Sequence, residues 1–236
     1  MSSVIPARRR LYVMRHAQVR YFQGVHPEQV VLTDEGRRQA EAAAEELSAI
    51  RFDRVVTSGL ARTLETARIV ARGAEPEHRY ELREIESGDI RGLDPAEVQE
   101  LMTTAFRGVV PLDARFLGGE AAGSLIDRVW GELDGLLADE SWDVALLVLH
   151  GGVNRAILSR AITGERVLLG GFEQAPGCVN ILDVDAEGRF VVRAVNHTPY
   201  DPAHVQAPRA TTMEQLWEEY LAAREERRLV RRAGDP

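Results

Sequence analysis

The chain contains no lysine: all 29 of its cationic side chains are arginines. Schiff-base chemistry and a phosphate-binding loop of the GxxxxGK type are therefore excluded, since both need a primary amine. Any anion site must be assembled from guanidinium forks, imidazoles and backbone NH groups. Cysteine is nearly absent as well, and the single Cys178 permits neither an internal disulfide nor a cysteine-based structural zinc site. It is expected to be a small buried apolar residue. No apolar run approaches the ~18 residues of a membrane span, and "MSSVIPARRR" lacks the apolar centre of a signal peptide. A soluble, cytoplasmic protein without a membrane partner is expected. Basic charge is in deficit too, with a net charge of -8, which argues against a nucleic-acid partner because phosphate-backbone affinity needs a basic face.

What is present is enough apolar residue for a substantial core, 44% of 236 positions, and one domain accounts for it. "RLYVM" (10 to 14) reads as a short buried strand. In "LTDEGRRQAEAAAEELSAI" (32 to 50), Thr33 stands in capping position ahead of acidic Asp34 and Glu35, with Ala40, Ala43, Ala44 and Leu47 at helical spacing. "FDRVVTS" (52 to 58) reads as a second strand, "LARTLETARIVARG" (60 to 73) as a helix stopped by Gly73, and "EHRYEL" (77 to 82) as a third strand. Helices are expected from Asp94 to about Phe106 and from about 120 to 139, on either side of a Pro- and Gly-bearing loop. "VALLVLH" (144 to 150) is the most apolar run and is followed by Gly151, Gly152 and the helix "VNRAILSRAIT"; strands 178 to 184 and 189 to 195 form a hairpin around "DAEG". Strands alternating with helices in this way imply an α/β fold: a three-layer sandwich with a mostly parallel central sheet and helices on both faces. A proline-bearing segment, 197 to 210, leads to a C-terminal helix from about Thr211 whose stripe of Met213, Leu216, Trp217, Tyr220 and Leu221 is expected to dock on its own domain, a homodimer contact being the alternative.

Four places share one pattern, an apolar strand followed at once by a charged residue or a histidine. They are Arg15 and His16 after the first strand, Thr57 and Ser58 leading to Arg62 after the second, Glu84 after the third, and His150 after "VALLVL". Ligands of open parallel sheets bind beyond the carboxyl ends of the strands, so parallel neighbours would bring the four together. Two arginine forks match phosphate oxygens in bidentate fashion, and Gly151-Gly152 at a helix start offers NH groups and a positive dipole end to the same anion. His16 is a nitrogen nucleophile able to accept a phosphoryl group if its other ring nitrogen donates to a carbonyl. His150 would clamp the charge that develops in transfer, and Glu84 is the strand-end group able to protonate a leaving oxygen.

Five ordered stretches, "YVMRHAQ", "LTDEGRRQA", "VVTSGLARTLETA", "LREIESGDIRG" and "LLVLHGGVNRAIL", resemble the motifs of the histidine phosphatase superfamily, which includes the phosphoglycerate mutases. The resemblance implies a phosphoglycerate mutase-like fold, a phosphohistidine on His16, phosphate held by Arg15, Arg62 and His150, and Glu84 as proton donor, with no metal and no cofactor. Glu84 is preferred to Glu81 and Glu86 because the family's acid precedes glycines by four and eight positions, as Glu84 precedes Gly88 and Gly92. On this reading residues 1–196 are the catalytic domain, with a helical insert at about 93–140, and 197–236 are linker and C-terminal helix. Two departures stand out. Ala17 replaces the usual glycine, and the family's asparagine a few residues further on is missing, Tyr21 and Phe22 occupying that stretch. Gln18, Arg20 and Gln23 are the candidates for its phosphate contact, Gln18 being the one assigned to substrate binding beside Gly151.

The cradle serves both hydrolysis and mutase-type transfer. A mutase must retain a bisphosphorylated intermediate, whereas the insert carries Asp94, Glu97, Glu100 and Asp113 against only Arg107 and Arg115. Hydrolysis of a small phosphorylated metabolite is the favoured reading, mutase-type transfer and a non-catalytic phospho-ligand-binding domain the alternatives. Leu101, Met102, Phe106, Phe116 and Leu117 either line a substrate pocket or, as the more common outcome, pack the insert onto the domain.

Overall fold

A run of six residues without a polar side chain, Val144–Leu149, can bury both its faces only inside a covered sheet. The computed structural model, which describes residues 8–90 and 92–234, places it there. In chain order the strands are β1 (Arg8–Arg15), β2 (Arg54–Thr57), β3 (Glu77–His78), β4 (Val109–Val110), β5 (Val144–Leu149), β6 (Leu168–Leu169), β7 (Val179–Asp185) and β8 (Phe190–His197). The helices are α1 (Asp34–Glu46), α2 (Ala61–Val70), α3 (Pro95–Thr104), α4 (Ala122–Ala138), α5 (Gly151–Thr163) and α6 (Thr212–Gly234). The main sheet has the order β3-β2-β5-β1-β7-β8, with β3, β2, β5 and β1 mutually parallel and β7 and β8 added antiparallel. This is the expected α/β sandwich with a mostly parallel sheet.

Side chains alternate along each strand, so the apolar runs feed two cores. Leu11, Val13, Ala145, Leu147 and Leu149 face the side covered by α4 and α5, while Tyr12, Met14, Leu146 and Val148 face α1 and α2. Thr33 caps α1 as its sequence implies, its Oγ1 accepting from Gly36 N at 3.0 Å. Cys178 is buried and free.

The third strand is shorter than expected. Only Glu77–His78 pairs, because its partner β2 ends at Thr57; the chain then turns through a 3-10 segment, Tyr80–Leu82, that sends Leu82 into the core. Glu84 therefore reaches the sheet edge from a turn rather than from a strand end. The α2 helix stops at Val70, three residues before Gly73. A small antiparallel sheet, β4 with β6, was not foreseen and ties the insert to the segment after α5. The insert's apolar residues mostly pack: Met102 and Leu117 share a cluster with Trp217 of α6, and Phe106 stacks on Phe116 with centroids 5.6 Å apart. Of the α6 stripe, Met213, Trp217 and Tyr220 pack on their own chain against α3, whereas Leu221 is exposed.

Candidate active site

The carboxyl ends of β1, β5 and β2 lie side by side, since Arg15 is in register with Leu149 and Thr57 with Val148. His16 and His150, one residue beyond their strands, are consequently adjacent, with ring centroids 5.3 Å apart. Arg62 comes from the first turn of α2, and its Nη2 stands 3.5 Å from His150 Nδ1.

His16 is almost fully buried, and its Nδ1 lies 2.9 Å from the carbonyl of Ala17. A carbonyl only accepts, so Nδ1 carries the proton and Nε2 presents a lone pair. Burial, and then the charges of Arg62 and Arg15, hold this imidazole well below its ordinary pKa. The ring is thus neutral, as a nucleophile must be. His150 is pushed the same way by burial, then by Arg62, His16, Arg15 and Arg128. Its tautomer follows from a hydroxyl chain. Thr63 Oγ1 donates to Leu60 O at 2.8 Å, so it accepts from Ser58 Oγ at 3.1 Å, and Ser58 in turn accepts from His150 Nε2–H at 2.8 Å. The Nδ1 lone pair is left facing Arg62.

The two guanidinium groups are anchored at one end only. Arg15 Nη1 donates to Gln174 O at 2.5 Å and Arg62 Nη1 to Pro27 O at 2.7 Å, while the buried Nε of each has no hydrogen-bond partner. Buried donors of this kind are costly unless a ligand meets them, and phosphate oxygens suit guanidinium groups. Glu84 closes the site opposite. Its Oε1 accepts from Gly152 N and from Ile85 N, each at 3.0 Å. The Gly152 NH, one of those offered to the anion on sequence grounds, is therefore committed to the carboxylate. A Cβ at Gly152 would stand 2.7 Å from that same Oε1, so any larger residue would push the Glu84 carboxyl out of this position. Gly151 packs between Arg15 and Glu84: a Cβ there would lie 3.7 Å from Arg15 Nε and 3.8 Å from Glu84 Oε2.

The family model described as histidine phosphatase superfamily (branch 1) matches residues 11–198, which contain every one of these groups. The chain belongs to the histidine phosphatase superfamily. Among its relatives is the adenosylcobalamin/alpha-ribazole phosphatase of Salmonella typhimurium, 29% identical over 201 residues that make up 79% of this chain and 96% of that one. The phosphoglycerate mutase-like protein 4 of Arabidopsis thaliana is 32% identical over 145 residues, covering 58% of this chain and 63% of the plant protein. The structure of mycobacterial glucosyl-3-phosphoglycerate phosphatase with VO3 superposes with a TM-score of 0.67 at 25% identity, over 80% of this chain and 98% of that one. The enzyme class expected from the sequence, a histidine phosphatase, is the one that phosphatase relatives carry.

Other residues surround this candidate site without a signal in the sequence. Arg128 of α4 donates to the carbonyls of Glu81 (2.6 Å), Arg83 (2.7 Å) and Glu84 (3.2 Å) while pairing with Glu120, and so shapes the turn that carries Glu84. Arg155 is buried against the carbonyls of Gly151 and Gly170, with its guanidinium 4.6 Å from the ring centroid of Phe106. Gln174, whose carbonyl holds Arg15, exchanges amide hydrogen bonds with Asn180 at 2.8 and 3.0 Å, a buried pair behind the cradle. Of the candidates for the missing asparagine's contact, Gln18 turns to the helix cap, its Oε1 accepting from Thr33 Oγ1 at 2.7 Å, and Arg20 and Gln23 are exposed. The loop residue that enters the site is Tyr21, with its hydroxyl 3.4 Å from His16 Nε2. Ala17 is accommodated because its NH donates to Thr66 Oγ1 and its methyl lies in the α1–α2 core. No group of three or more His, Cys, Asp or Glu side chains among the described residues is arranged to hold a metal ion, and no helix among them is long and apolar enough to cross a membrane.

Proposed function

We propose that the protein is a cytoplasmic, metal-independent phosphomonoester hydrolase acting on a small phosphorylated metabolite through a phosphohistidine at His16. The observation that carries this reading is the neutral Nε2 lone pair of His16 between two guanidinium groups whose Nε atoms are unpaired. Arg15 and Arg62 bind the phosphate and neutralise its charge. Nε2 attacks phosphorus, the bond to the ester oxygen breaks, and Glu84 gives its proton to that oxygen. A water then attacks the phosphohistidine and Glu84 takes its proton, which returns His16 to its starting state and releases inorganic phosphate. His150 Nδ1 takes up a proton from solvent as the dianion arrives and clamps an oxygen of the transferring group, its Nε2–H staying on Ser58.

Hydrolysis is preferred to mutase-type transfer because the insert beside the site is acidic, with Glu97 and Glu100 on α3. Relatives named for alpha-ribazole and glucosyl-3-phosphoglycerate phosphatase activities support the same choice and point to a phosphorylated metabolite. The test is release of inorganic phosphate from an aryl phosphate by wild type and by His16→Ala. Wild-type release that vanishes in the variant supports the reading. No release by wild type, with phosphate still bound, would favour the non-catalytic alternative, and phosphate transfer between glycerate hydroxyls would favour the mutase.

A further inference from the structure

The loop between β1 and α1 is gripped from outside the part of the chain that matches the family, since the match ends at residue 198 and α6 begins at Thr212. Three side chains of α6 reach this loop. The ring of Tyr220 meets that of Phe22 edge-on, with centroids 5.4 Å apart and planes at 75°. Arg227 Nη2 donates to Phe22 O at 2.7 Å, and the Glu219 carboxyl faces the backbone NH of Tyr21. Trp217 stacks on Tyr220 at 5.6 Å and anchors the group in the α3–α6 cluster.

Phe22 needs such a grip, because its φ of +62° lies in the left-handed region, which asparagine adopts readily and an aromatic residue does not. A strained residue persists where its surroundings over-determine it, and here α6 supplies those surroundings. The consequence falls on the preceding residue. Tyr21 is directed at the site, its hydroxyl 3.4 Å from His16 Nε2 and its ring centroid 5.8 Å from the Arg62 guanidinium carbon. At 3.4 Å the hydroxyl makes only a weak bond to the nitrogen itself. It is placed instead beside the oxygens of a group bonded to that nitrogen.

We infer that the Tyr21 hydroxyl donates a hydrogen bond to a phosphoryl oxygen during transfer to and from His16, and that α6 positions it through the Tyr220–Phe22 contact. Tyr21 is then a catalytic residue and Tyr220 a positioning residue. The inference rests on the phosphohistidine reading above, and it explains how the site works although Gln18 of this loop turns to the helix cap and Gln23 is exposed. A neutral donor adds to the cradle without altering its charge.

The experiment measures kcat and KM for an aryl phosphate, inhibition by orthovanadate and thermal unfolding. The set is wild type, His16→Ala, Tyr21→Phe, Tyr220→Ala, Tyr220→Phe and the double variant Tyr21→Phe/Tyr220→Ala. Turnover by His16→Ala would sink the parent reading and this one with it. With His16→Ala inactive, Tyr21→Phe is expected to lower kcat by about 10- to 100-fold and to weaken orthovanadate inhibition, with the unfolding midpoint unchanged. Tyr220→Ala is expected to lower kcat several-fold, to be rescued by Tyr220→Phe, and to cost nothing further in the Tyr21→Phe background. Wild-type kcat and orthovanadate inhibition in Tyr21→Phe would overturn the catalytic role. Losses that multiply in the double variant, or that appear only as a lower unfolding midpoint, would overturn the positioning role of α6.

Discussion

His150 donates from Nε2 to the hydroxyl of Ser58 across 2.8 Å, and both groups are buried. Because Ser58 passes its own proton to Thr63, it is an acceptor for the imidazole and holds Nδ1 open toward Arg62. Ser58→Ala leaves a buried ring NH without an acceptor. We expect a loss of about 1–3 kcal/mol in stability together with a fall of roughly tenfold in kcat/KM, as the ring is freed to adopt the other tautomer. Urea denaturation and aryl phosphate kinetics check the two effects, and a variant with wild-type kinetics would show that the tautomer does not matter.

The pH dependence follows from the two buried imidazoles, which burial and Arg62 hold well below their ordinary value of 6.5. An unfolded chain takes up these protons as pH falls through about 6.5 while the folded chain does not. The stabilisation is therefore present above that pH and lost as pH falls through the folded values. Denaturant unfolding from about pH 8 to about pH 5 should show declining stability, with a shallower decline in His150→Asn. The nucleophile of the free enzyme stays unprotonated as pH falls through 6.5. The acid limb of kcat/KM should accordingly inflect well below 6.5, and an inflection at or above that value would contradict the neutral His16.

Glu84 as proton donor predicts a dependence on the leaving group. Glu84→Gln should slow hydrolysis of alkyl phosphates, whose alkoxide needs a proton, by about 100-fold or more, and hydrolysis of nitrophenyl phosphates far less. Arg128→Met frees the carbonyls of Glu81, Arg83 and Glu84. It should reproduce the same leaving-group pattern in milder form. Equal losses on both substrate types in kcat/KM, which excludes the water step common to both, would remove Glu84 from the acid role.

Much of the fold was legible because its signals are local. The six-residue apolar β5, the Thr33 cap and the small-residue face of α1 each reflect contacts within a few positions, and strand-helix alternation then constrains the sheet. The third strand is shorter than its composition suggests for the complementary reason: "EHRYEL" has strand-forming residues, but β2 ends at Thr57 and leaves nothing beyond His78 to pair with. The short β4–β6 sheet carries no periodicity at two residues per strand.

The sequence by itself determined the inventory of the site: arginine as its only kind of cation, and Arg15, His16, Arg62, Glu84 and His150 just past the ends of apolar runs. Their convergence became readable once parallel pairing was inferred, because parallel strands end at one edge. The tertiary structure alone decided the tautomers of both histidines, the commitment of the Gly152 NH to Glu84, the hold of Arg128 on the acid's turn and the entry of Tyr21 under the grip of α6. These depend on pairs such as Phe22 with Arg227, 205 positions apart. A hydrogen bond or ring contact over that separation leaves no mark on local spacing, since its partners are brought together by the packing of the whole domain.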